Sequence, residues 1–206
     1  MLKDLAVVAA VSLGLLSCQG VSQAPPVTGA SKAGANPSTT PGQKKLALLI
    51  GINRYKHVSS LDGAINDVEA MERLLTSPRY GFKATDIHIL KDEQATRDNI
   101  LKKEIDGFLL KQAESGATIV IHYSGHGSLM KNPKDPSGFD NTIVPHDSRD
   151  PDNLVSDVRD KEINSRLRQL SDKVGPRGAV TIILDSCHSG TGAKATGKAR
   201  RIKADS

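Results

Sequence analysis

Two short polar stretches hold residue types that do covalent chemistry: Ser124-Gly125-His126-Gly127 and Asp185-Ser186-Cys187-His188. A cysteine attacks a carbonyl as its thiolate, so it needs a nearby base or cation to lower its pKa and later an acid for the leaving amine. An imidazole such as that of His126 serves as both. The glycines beside it permit a tight, exposed turn and let a substrate backbone come close. A tetrahedral intermediate also needs N–H donors aimed at its oxyanion, and the backbone amides of Cys187 and Gly127 are the natural candidates. Each residue taken alone has a plainer explanation, the cysteine as a small buried hydrophobe and the histidine as a structural turn residue. Two other chemistries stay open. His122, His126, Cys187 and His188 could converge on a metal, although no CxxC or HExxH spacing supports this and no metal site is expected. Ser124 could be the nucleophile of a different hydrolase, although Tyr-Ser-Gly-His lacks the GxSxG elbow.

The elements that must position these residues read as an alternating α/β pattern. Leu46 to Ile52 is an apolar run of strand length ending in the polar turn Asn53-Arg54. From Asp62, apolar residues at Ile65, Val68, Met71 and Leu74/Leu75 follow the period of an amphipathic helix, broken by Tyr80-Gly81-Phe82. A strand at Ile87 to Leu90 precedes an N-cap at Thr96 and a second helix through Ile100, Leu101, Ile105, Phe108 and Leu109. Ala117 to Tyr123 is a third strand, followed by a long polar loop carrying Pro133, Pro136, Pro145 and Pro151. A third helix fits Lys161 to Leu170, and Ala179 to Leu184 is the fourth strand. Strands that alternate with helices imply parallel pairing with helices on both faces. Sites in such sheets form beyond the carboxyl ends of the strands, where both chemical motifs fall although sixty-one residues separate His126 from Cys187.

The chain has 206 residues, 37% apolar and 25% charged, enough for one domain with appendages. Its charge of +5 is concentrated in Lys194, Lys198, Arg200, Arg201 and Lys203, a solvated basic tail. No aromatic platform or nucleic-acid motif accompanies it, so nucleic acid is not an expected partner. Residues 1–17 read as a secretory signal whose apolar run is too short to span a bilayer, and Leu15-Leu16-Ser17-Cys18 resembles the lipobox of bacterial lipoproteins. That resemblance implies export, lipidation at Cys18 and attachment to the cell envelope, at its periplasmic or outer-membrane face; an ordinary signal peptide is the alternative. Residues 18–45 form a Pro/Gly/Ser-rich tether, 46–192 the domain, and 193–206 the basic tail.

The blocks LALLIGINRY, LDGAINDVEAM, YGF, IVIHYSGHGS, NTIVPHDSR and TIILDSCHSGT occur in the order found in metacaspases and bacterial orthocaspases, and the chain resembles them from Leu46 to about Gly192. The resemblance implies a caspase-like three-layer sandwich: a mostly parallel sheet with helices on both faces. It also implies hydrolysis of peptide bonds after Arg or Lys by a dyad of His126 and Cys187. Asp185 and Asp67, with Ser124 beside them, match the acids of the pocket that meets the substrate cation. No cofactor is expected. Many metacaspases depend on calcium, but here the matching acidic positions read Asp160-Lys161 and, near residue 194, lysine, which opposes Ca²⁺ binding. The family's domain continues into a small subunit with two further strands, so a fragment, a truncated gene product, or a small subunit supplied by another chain are all compatible expectations. The non-enzymatic alternative is a caspase-like binding or scaffold module of the cell envelope.

Overall fold

The computed structural model describes residues 42–152 and 155–186. Four strands, β1 (Lys45–Gly51), β2 (Ile87–Lys91), β3 (Thr118–Ser124) and β7 (Ala179–Asp185), form one sheet in the order β2-β1-β3-β7, all parallel. The interior strands β1 and β3 are apolar through most of their length because helices cover both of their faces.

Helix α1 (Ala64–Thr76) carries the chain from β1 out to β2. Helix α2 runs with π winding over Asn99–Leu109 and closes as an α-turn over Leu110–Gln112. Its start is capped as expected, by Thr96 Oγ1 accepting the Asn99 N–H at 3.2 Å. It returns the chain past β1 to β3, in the opposite direction, so right-handed crossovers place α1 and α2 on opposite faces. Helix α3 (Asp160–Val174) leads to β7 on the α2 side, and Arg166 joins it to α2 through paired 2.8 and 2.9 Å bonds to Asp106.

Two apolar layers result. The larger holds Leu48, Ile50, Ile119 and Ile121 of the sheet against Ile100, Ile105, Phe108, Ile163 and Leu170. The smaller sets Ala47, Leu49 and Val120 against Val68 and Leu75 of α1. Gly51 is obligatory here: a Cβ would lie 2.7 Å from Val68 Cγ2 and 2.8 Å from the Ala64 carbonyl, so α1 could not seat on the end of β1. The helix buries Leu75 in this smaller layer and leaves Leu74 46% exposed.

Part of the expected long polar loop after β3 is sheet. β4 (Gly127–Lys131) and β5 (Phe139–Ile143) form an antiparallel hairpin, to which β6 (Val158–Arg159) adds a short third strand. Polar side chains concealed these strands because several are buried and paired rather than alternating with an apolar face. Asp157, fully buried, accepts Thr142 Oγ1 at 2.9 Å, Ser148 Oγ at 2.8 Å and an Arg149 N–H at 2.7 Å. The third helix also outruns its expected end, continuing to Val174 before Gly175-Pro176 turns the chain.

Candidate active site

The connections that follow the neighbouring strands β1 and β3 leave for opposite faces, which makes their carboxyl ends the switch point of the sheet, where sites form in such folds. Gly51, Ser124 and Asp185 are register partners across β1, β3 and β7, so they share the α1 face of the sheet at that edge. Asp67, in the first turn of α1, reaches the same row. Ser124 Oγ donates to Asp67 Oδ2 at 2.7 Å, with Ser124 fully buried. Asp185 is exposed, and its carbonyl accepts the Gly125 N–H at 3.3 Å, tying the histidine turn to the end of β7. The fold thus brings together three of the residues singled out from the sequence, Asp67, Ser124 and Asp185. Cys187, two residues past Asp185, lies outside the described residues, as do Cys18, His188 and Lys194.

His126 follows β3, and its side chain is fully buried. Its Nε2 lies 2.8 Å from the Ser59 carbonyl oxygen. A carbonyl can only accept, so the shared proton must sit on Nε2, and in the neutral ring Nδ1 then carries the lone pair. Nδ1 is buried and has no hydrogen-bond partner among the described residues. This is the state a general base needs: one nitrogen tied down, the other ready to accept a proton. Gly127 opens β4 opposite Ile143. His122, buried within β3, shares the α1 face with Ser124 four residues from His126, and no group of three or more His, Cys, Asp or Glu side chains among the described residues could hold a metal.

The turn after β1 positions the Ser59 carbonyl. Asp92, 8% exposed and at φ 46°, accepts the backbone N–H groups of Asn53 and Arg54, each at 2.8 Å, and Arg54 Nε at 3.0 Å. Asn53 Oδ1 accepts the Ala64 N–H at 2.9 Å, joining the same turn to the first residue of α1. Farther along, the Lys56 N–H donates to the His146 carbonyl at 3.1 Å, and His146 Nδ1 lies 2.7 Å from the Arg54 carbonyl. Neither Ser59 nor Asp92 stood out in the sequence: one acts through its backbone, and the other is an ordinary acid after a strand.

On the far side, beside β6, Lys161 Nζ lies 2.7 Å from Asp140 Oδ1 and 3.2 Å from Asp135 Oδ2, and Arg159 reaches Asp140 Oδ2 at 2.8 Å. The Lys161 ammonium, with Asn132 and Arg159, holds the Asp140 carboxyl down to about 2. Lys161 thus places a cation between two of the carboxylates beside β6.

A sequence profile described as the metacaspase, peptidase C14 domain matches residues 44–195. Metacaspase-4 of Arabidopsis thaliana is 41% identical over 154 residues, covering 71% of this chain and 34% of that protein. Metacaspase-1 of Meyerozyma guilliermondii is 34% identical over 178 residues, covering 83% of this chain and 41% of that protein. The chain therefore spans about a third to two fifths of the length of these relatives. Among solved structures, the Geobacter sulfurreducens protein GSU0716 superposes with a TM-score of 0.55 at 26% identity, covering 72% of this chain and 52% of that one.

Proposed function

The chain belongs to the metacaspase family, with the caspase-like fold, and from that premise and the site geometry we propose that it carries the catalytic dyad of a cysteine endopeptidase that cuts after Arg or Lys. The observation that carries the reading is the state of His126: a buried imidazole with Nε2–H held by Ser59 and Nδ1 available as a base, at the switch point of a parallel sheet.

In this reading Nδ1 takes the Cys187 thiol proton and the thiolate attacks the scissile carbonyl. The amides of Cys187 and Gly127 receive the oxyanion. The imidazolium then gives its proton to the departing amine, leaving a thioester that water, deprotonated by the same imidazole, hydrolyses. Asp67, Ser124 and Asp185 form the pocket for the substrate cation, a role their shared edge and the Ser124–Asp67 bond support. The cleft needs a second wall. β7 is the outer strand of the described sheet and leaves Leu184 42% exposed, which favours a small subunit laid beside it. No metal is required in this reading, because Lys161 already neutralises Asp140 and Asp135. Cys18 anchors the protein through lipid to the cell envelope.

The test is hydrolysis of fluorogenic peptides ending in Arg, Lys or Asp by the purified chain, alone and with the family's small-subunit segment supplied in trans, with and without calcium. Arg and Lys cleavage lost in Cys187→Ala and His126→Ala, and indifferent to chelation, is the expected result. A folded chain that cuts nothing in either setting would replace the peptidase with a binding module. Calcium-dependent activity would overturn the assignment to Lys161.

A further inference from the structure

His126 is gripped by more than Ser59. Its backbone N–H donates to Tyr55 Oη at 2.7 Å, and its carbonyl accepts the Tyr123 O–H at 2.7 Å. The Tyr55 ring also packs on the imidazole, with centroids 4.8 Å apart and planes tilted by 43°. Tyr55 and Ser59 lie on the same turn after β1. One segment therefore sets a ring against the face of the imidazole, a carbonyl at its edge and a hydroxyl on its backbone.

We propose that Tyr55 is a positioning residue for His126: its hydroxyl holds the histidine backbone and its ring the imidazole plane, so that Nε2 stays on Ser59 and Nδ1 keeps the lone pair. The geometry stands by itself, and its catalytic consequence rests on the Cys187–His126 reading above. An imidazole freed from a fixed acceptor can carry its proton on either nitrogen. Only the form protonated at Nε2 can take a thiol proton at Nδ1. Apolar packing alone would be met by phenylalanine; the hydroxyl is what the buried His126 N–H requires.

Tyr55→Phe in the full chain separates these roles. The readouts are the His126 tautomer, from long-range ¹⁵N–¹H correlation, and the rate of Cys187 alkylation by iodoacetamide across neutral pH, followed by peptide mass. The expected result is a mixed tautomer and alkylation slowed about tenfold, the factor carried by one hydrogen bond of ordinary strength. Where peptide turnover is measurable, kcat should fall with KM unchanged. An Ile105→Val variant controls for lost stability remote from the site and should alter neither readout. Retention of a single Nε2–H tautomer with alkylation within twofold of wild type would overturn the proposal. If His126→Ala alkylates with the wild-type pH profile, the dyad reading fails instead, while the tautomer still judges Tyr55. Should Tyr55→Phe not fold, the wild-type chain carries the test: contacts between the Tyr55 ring and the His126 ring protons, with a slowly exchanging His126 amide, are expected in the NMR spectrum, and their absence refutes the proposal.

Discussion

Replacing Gly125 by alanine should damage stability and the site together, and the size follows from the two phenols. A Cβ at this position lies 2.6 Å from Tyr55 Oη, 2.6 Å from Tyr123 Oη and 2.8 Å from Tyr123 Cζ. Restoring ordinary contact at about 3.5 Å means moving each oxygen by roughly 0.9 Å. Tyr123 is fully enclosed, and burial pushes its phenol far above the usual range, so this oxygen has no loose side chain to swing away. A shift of that size stretches the 2.7 Å bonds to His126 N–H and C=O beyond useful length. Overpacking costs about 2 kcal/mol, and two buried groups left poorly paired add about 1 kcal/mol each. Urea unfolding followed by circular dichroism should therefore show Gly125→Ala about 4 kcal/mol less stable, with an unchanged slope. A loss below about 1 kcal/mol would mean that the phenols do not pin the histidine turn and would refute the reasoning.

Asp157→Ala should cost about 3–5 kcal/mol in the same assay, because it leaves the Arg149 guanidinium and two buried hydroxyls without their common acceptor. Acid should act through Asp140. Its folded pKa of about 2 lies below the ordinary 3.8, so it contributes stability that is fully present above the ordinary value and lost as pH falls toward 2. Unfolding measured between pH 2 and 5 should lose part of this slope in Lys161→Met, which removes the largest cause of the shift.

The alternation of apolar strands and amphipathic helices, and the place of Ser124 and Asp185 at the ends of two strands, were legible because periodicity is a property of consecutive residues. Leu46 to Ile52, Ile119 to Tyr123 and the Ile100 to Leu109 face are buried as their pattern implies. The hairpin of β4 and β5 was not legible, since Ser128, Asp140 and Thr142 are buried polar residues whose partners, Arg149, Arg159 and Asp157, come from later segments.

His126 shows the same division at the scale of one side chain. Its type and its glycines mark it as a base in a tight turn, and the order of the surrounding blocks marks the family. Its tautomer is decided by a carbonyl 67 residues away and its backbone by a phenol 71 residues away. A strand-to-helix pattern records which face of each segment is apolar, whereas hydrogen bonds between turns depend on which strand ends become neighbours. That neighbourhood exists only once β1 and β3 pair in register, Gly51 beside Ser124.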